Sequence, residues 1–283
     1  METTKCLKRE RALFWILLGG LLFLRFPWII LGRVFAPAYS IQITVIFEVG
    51  TCLLTFLLIF LERKRLAEYH VDRLALVLLV CAPIAVLVGR MAGGYALPGQ
   101  EIKAVLAVML LIALLLRRPV LPRRGAGRTA GCIGTAVLAG AALAIIWGFL
   151  SSFQLREMVD VSTLPSVGQM LHGGRLSYGV LYQIDYAAAA EEPLFRGFLW
   201  GRLRKCGWKD HWIWLFQALL FAAGHVYYVG VYNISAFLLV PLGALGLGLV
   251  AWKTRSIGAS MITHGIINGF GATLGYAFLA MMR

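Results

Sequence analysis

The sequence predicts an all-α fold: a polytopic transmembrane helical bundle of eight or nine spans, with its N-terminus cytoplasmic. Three observations predict it. Of 283 residues, 60% are hydrophobic and 14% charged, against about 25% charged in ordinary soluble domains. Mean hydropathy is +0.80, too apolar for a chain of this size to hide in a soluble core. The apolar residues also come in runs of about 20, the length that crosses a ~30 Å hydrocarbon layer as a helix.

Nine such runs follow in order, over 12–32, 41–61, 73–91, 102–116, 131–150, 177–200, 211–230, 235–252 and 257–281. The first is interrupted by Arg25 and Pro27 and the fourth is short, which makes eight the alternative count. The first run could be a signal peptide cut near Ala36-Pro37-Ala38. Its apolar part is too long and the small-residue site poor, so an uncleaved anchor is expected. Residues 117–130, with two prolines and two glycines, read as a flexible basic linker. Residues 151–176 form the longest outside loop, whose Met158, Val159, Val161, Leu164 and Met170 suit a segment lying on the membrane surface. In the eighth run, Pro241, Gly243, Gly246 and Gly248 suit close helix packing or a lateral opening. These boundaries divide the chain into an N-terminal bundle of unknown role (1–130), a linking span and outside loop (131–176), and a C-terminal core (177–283).

The net charge is +14, and its distribution gives the orientation. Basic clusters fall on alternate connections: Lys5, Lys8, Arg9 and Arg11; Arg63, Lys64, Arg65 and Arg73; Arg117, Arg118, Arg123, Arg124 and Arg128; Arg202, Arg204, Lys205 and Lys209; Lys253 and Arg255. Positive connections stay cytoplasmic, so nine spans would put the C-terminus outside. No basic stripe carries interleaved aromatics, so anionic lipid headgroups, not nucleic acid, are the expected counterpart. The setting expected is the plasma membrane of a bacterium or archaeon, crossed many times. Cys6, Cys52, Cys81, Cys132 and Cys206 form no CxxC pair and read as small apolar residues. Nothing in the sequence sets the oligomeric state.

Ionisable groups inside a span are costly and therefore point to function. The sixth run carries Glu191-Glu192-Pro193-Leu194-Phe195-Arg196 after four alanines. Glu192 and Arg196 are four apart and share a helix face. Glu191 points about 100° away and has no partner on its own helix. Pro193 removes a backbone donor, so a kink is expected here. His70, His172 and His211 fall at span ends and read as solvated, whereas His225 and His264 lie within apolar runs, His264 one turn before Asn268. At ~1.5 Å per residue, Glu191, His264, Asn268 and His225 lie roughly 15, 11, 17 and 21 Å from the basic side. These levels overlap, and Ala222, Ala223, Gly224, Gly265 and Gly269 would let the helices approach. Any one of these residues alone reads as an interhelical bond; together they read as a catalytic or transport site.

Glu-Glu-x-x-x-Arg, Phe-x-x-x-His and His-x-x-x-Asn, in this order and spacing, resemble the three motifs of the CAAX protease and bacteriocin-processing family of intramembrane endopeptidases. The resemblance covers about 177–282, and no motif position departs from it. It implies that Glu191 and His225 activate a water, that His264 and Asn268 form an oxyanion site, and that no cofactor is needed. The substrate implied is a membrane protein or peptide. The residues read alone agree, since a lone carboxylate in a low dielectric suits general acid/base work, and Glu192 with Arg196 would fix Glu191.

Three other readings compete. Glu191, His225 and His264 could instead hold zinc with an open water position, although no HExxH is present. A proton-coupled transporter could use Glu48 and Asp185, two further intramembrane acids; satisfaction by neighbouring helices is the preferred reading of both. A non-catalytic bacteriocin-immunity protein is the third.

Overall fold

A computed structural model of the protein describes residues 2–93 and 98–282, with the side chains of 2–8 excluded. Lys5, Lys8 and Cys6 therefore lie outside the described side chains. Among the described residues the fold is all-helical. Its helices are α1 (Glu2–Phe23), α2 (Gly32–Phe35), α3 (Ser40–Leu61), α4 (Arg73–Ala92), α5 (Gln100–Leu116), α6 (Ala126–Leu155), α7 (Val167–Met170), α8 (Gly173–Gln183), α9 (Ala189–Glu192), α10 (Trp200–Lys205), α11 (Asp210–Ala223), α12 (Val240–Thr254) and α13 (Ile257–Met281). Each of the nine apolar runs carries helix. Among the described residues, five helical stretches are long and apolar enough to cross a membrane: Arg9–Phe35, Pro37–Leu61, Arg73–Ala92, Ala126–Leu155 and Ser235–Thr254.

Three of the apolar runs contain π-helical turns, the eighth over Ser235–Leu239 before α12. π-Helical turns Leu24–Leu31 join α1 to α2, and Ile184–Ala188 and Pro193–Leu199 flank α9. Pro27 and Pro193 lack the N–H that an α-turn would use, and the wider π-turn accommodates them. The kink expected at Pro193 takes this form. The seventh run ends early: α11 stops at Ala223, and His225 opens the 3-10 turn Val226–Tyr228 instead of lying within a helix.

Packing explains how the site is positioned. α13 lies along α6, where Gly140 faces Ile266 and where Ala144 and Gly148 face Gly271 and Gly275; a Cβ on Gly148 would lie 2.5 Å from Leu274 Cβ. On its other side α13 meets α8, and a Cβ on Gly269 would lie 2.7 Å from the backbone of Gly179 and Val180. The N-terminal bundle shares this core. Phe14 and Tyr69 both pack on Phe198, with ring centroids 6.3 and 5.2 Å away. Gly246 abuts Leu143 and Gly248 abuts Trp214, so close packing is their use.

The basic connections gather on one face. Asp72 caps α4 through Ala75 N–H at 3.1 Å and accepts bonds from Ser256 (2.7 Å) and Arg124 (2.8 Å). Asp210 receives Arg204 at 2.6 Å and Arg255 at 3.1 Å, and Lys205 pairs with Glu68 at 2.5 Å. Arg124 also donates to the Arg255 carbonyl, and Val120 N–H to that of Arg63. Residues 117–125 are thus tied down, not a free linker. His70, expected at the solvated surface, is buried here instead, with Arg204 3.2 Å from its Nε2. The outside loop is shorter than expected, because α6 continues to Leu155 and α8 begins at Gly173. Between them Ser166 and Gln169 form a capping box on α7, and Met170 is buried.

Candidate active site

The π-turns around α9 carry Glu191 and Glu192 into the centre of the bundle, both buried. Three elements converge there. His225, just beyond α11, places its Nε2 3.7 Å from Glu191 Oε1. His264, on α13, places its Nε2 3.8 Å from Glu191 Oε2. All three line a cavity of about 330 Å³, together with Asn268, Gln183, Tyr186, Tyr227 and Tyr228. Asn268 Nδ2–H donates to Gln183 Oε1 at 3.3 Å. The four residues singled out for chemistry therefore share one space.

Glu192 faces away from that cavity and serves another purpose. Its Oε1 lies 2.8 Å from His264 Nδ1 and 3.2 Å from Arg196 Nη1, and its Oε2 accepts from Ser260 Oγ at 2.5 Å. Arg196 in turn donates to the Ala244 carbonyl at 3.1 Å and lies over the Phe221 ring. The Glu192–Arg196 pair forms as the i,i+4 spacing predicts, but it orients His264 and not Glu191. That differs from the sequence expectation because helix-face reasoning sees only neighbours on the same helix.

Glu191 is not the lone carboxylate expected. Arg25, from the π-turn of the first run, places Nη2 3.0 Å from Glu191 Oε1. The same nitrogen lies 3.0 Å from His225 Nε2, and Nη1 donates to the Gly224 carbonyl at 2.7 Å. His225 Nδ1 lies 2.8 Å from the Phe221 carbonyl. That contact requires the proton on Nδ1, and Arg25 Nη2 lies close to both ring nitrogens, 3.1 Å from Nδ1 and 3.0 Å from Nε2. The signal for Arg25 was present in the sequence, as a single arginine beside a proline inside an apolar run. Ser260 and Gln183 gave no comparable signal.

The zinc alternative names Glu191, His225 and His264. Arg25 Nη2 lies 3.0 Å from both Glu191 Oε1 and His225 Nε2, so two of these residues already contact a guanidinium. Among the described residues, no group of three or more His, Cys, Asp and Glu side chains is placed to hold a metal ion.

Glu48 and Asp185 stand apart from this centre. Lys103 on α5 bridges them, 3.1 Å from Glu48 Oε2 and 2.7 Å from Asp185 Oδ2. A neighbouring helix thus gives both acids their counter-charge. Lys103 went unread because it sits at the margin of the short fourth run.

Comparison with known proteins agrees with this geometry. Residues 175–270, about a third of the chain, match the family model described as Rce1-like, type II CAAX prenyl endopeptidase Rce1-like. No curated protein and no solved structure matches the chain. The matched stretch contains Glu191, Glu192, Arg196, His225, His264 and Asn268, and leaves Arg25, Glu48 and Lys103 outside it. Through residues 175–270 the chain is similar to the type II CAAX prenyl endopeptidases that this family model describes.

Proposed function

We propose that the protein is an intramembrane endopeptidase that cleaves a peptide bond of a membrane-associated or lipid-anchored substrate, using Glu191 to activate water. The observation that carries this is the convergence of Glu191, His225 and His264, within 4 Å of one another through Glu191, on a cavity that also holds Asn268. Water bound in that cavity attacks the scissile carbonyl, and Glu191 takes its proton. The oxyanion accepts hydrogen bonds from Asn268 Nδ2–H and from His264 Nε2–H, a type of contact typically worth ~3 kcal/mol per donor. His264 donates at Nε2 only as imidazolium, since its Nδ1–H faces Glu192, and the adjacent Glu192 carboxylate compensates that charge. Glu191 then passes its proton to the departing amine, leaving a carboxyl and an amino terminus.

This reading is metal-free, and the contacts of the Arg25 guanidinium with Glu191 and His225 support it. Purified active protein should carry no stoichiometric zinc and should keep its activity in a chelator. The basic face lies on the cytoplasmic side by the positive-inside rule. Membrane lipids are its surroundings, and the substrate is a membrane protein or peptide.

The test is a comparison of membrane proteomes from cells carrying the wild-type protein and Glu191→Gln. At least one membrane protein or anchored peptide should accumulate uncleaved in the variant. Identical sets of termini in the two would remove the peptidase reading.

A further inference from the structure

The stretch that matches the protease family begins at residue 175, yet the group nearest the Glu191 carboxylate comes from residue 25. We infer that Arg25 is the charge-compensating positioning residue of this site, so that the N-terminal bundle completes the active centre. The inference rests on the peptidase reading for its consequence, but not for its test.

Three observations carry it. First, Arg25 is 2% exposed. A guanidinium at such depth needs compensation, and Glu191 provides the carboxylate in contact with it. Second, one nitrogen meets both reacting groups. Arg25 Nη2 lies 3.0 Å from Glu191 Oε1 and 3.0 Å from His225 Nε2, while Nη1 is anchored on the Gly224 carbonyl. A planar fork can satisfy this set, and a point charge can satisfy only part of it. Third, the surroundings make room for it. A Cβ on Gly224 would stand 3.2 Å from Arg25 Cζ, tighter than most side chains tolerate, and the π-turn around Pro27 carries Arg25 into the bundle.

The consequence is chemical. Arg196 is bonded to Glu192, and Arg25 is the arginine in direct contact with Glu191. Arg25 sets a positive charge against the carboxylate that is to accept a proton from water. The Phe221 carbonyl fixes the His225 tautomer at Nδ1, and Arg25 packs against both ring nitrogens and holds the imidazole in place. Arg25 acts through these two residues and touches no substrate atom in this account.

The test needs no substrate. Dicyclohexylcarbodiimide enters apolar regions and modifies protonated carboxyl groups. The intact protein in detergent is treated at pH 7, and the labelling rates of Glu191 and Asp185 are read by peptide mass spectrometry. Arg25→Met and Arg25→Gln should label Glu191 at least about tenfold faster than wild type, the smallest effect expected for loss of an adjacent opposite charge. Asp185, held by Lys103, should keep its wild-type rate in both. Arg25→Lys should restore slow labelling of Glu191. Unchanged Glu191 labelling in Arg25→Gln would overturn the inference. So would labelling that rises equally at Asp185, which marks general loosening of the bundle. Failure here would leave the peptidase reading standing, because cleavage by wild-type protein and its loss in Glu191→Gln are measured separately.

Discussion

At the scale of single residues, two adjacent carboxylates have been given different surroundings. Glu191 faces the cavity and is met by Arg25, His225 and His264, whereas Glu192 is enclosed by Arg196, Ser260 and His264 Nδ1. Ser260 is therefore expected to matter through His264. Ser260→Ala removes a hydrogen bond to a charged acceptor, and should lower kcat about tenfold, the rate equivalent of ~1.4 kcal/mol, with KM little changed. A change in KM alone would place Ser260 in substrate binding instead. Glu191, His225, His264 and Asn268 were legible in the sequence because polar groups buried in lipid have few reasons to be there. The arginine on Glu191 was not. Its partner is remote in the chain, and only the fold brings the two together.

At the scale of elements, the π-turns decide where side chains point. Ile184–Ala188 and Pro193–Leu199 bracket the four residues of α9, and Lys103 clamps the first of them through Asp185. Lys103→Met would leave the buried Asp185 and the part-buried Glu48 without their shared cation. It should destabilise the protein by about 3–5 kcal/mol, read as a lower unfolding temperature in detergent. Lys103→Met together with Asp185→Asn and Glu48→Gln should recover much of the loss; no recovery would mean that Lys103 acts by packing and not by charge. The positions of the apolar runs were legible from run length, since a bilayer sets that length. The end of α11 was not, because Ala222, Ala223 and Gly224 permit either a continued helix or a turn, and only packing chooses the turn that lets His225 face Glu191. The glycines along α6 and α13 were likewise visible as small residues, but not as partners.

At the scale of the whole molecule, the charge pattern that sets orientation also closes one end of the bundle. His70 stands in that closure, outside the spans. Burial, and then the neighbouring Arg204 and Arg255, push its imidazole from 6.5 down to about 3. In the same network burial pushes the Asp210 carboxyl up, but hydrogen bonds from Arg204 and Trp200 outweigh it and hold the group below its ordinary value. An unfolded His70 would take up a proton near 6.5, and the folded one only near 3. Its contribution to stability is therefore full above pH 6.5 and is lost as the pH falls toward 3. The unfolding temperature should drop between pH 6.5 and 4.5, and drop less in His70→Gln; equal slopes would show that His70 does not control the acid response. The central claim concerns the cavity and the water it activates. Its most direct measurement is made with purified protein in liposomes, incubated with a library of hydrophobic peptides in H2(18)O. Products from the wild-type protein should carry one 18O atom in each new carboxyl group, and Glu191→Gln should yield none. Labelled products formed equally by both proteins would contradict the account.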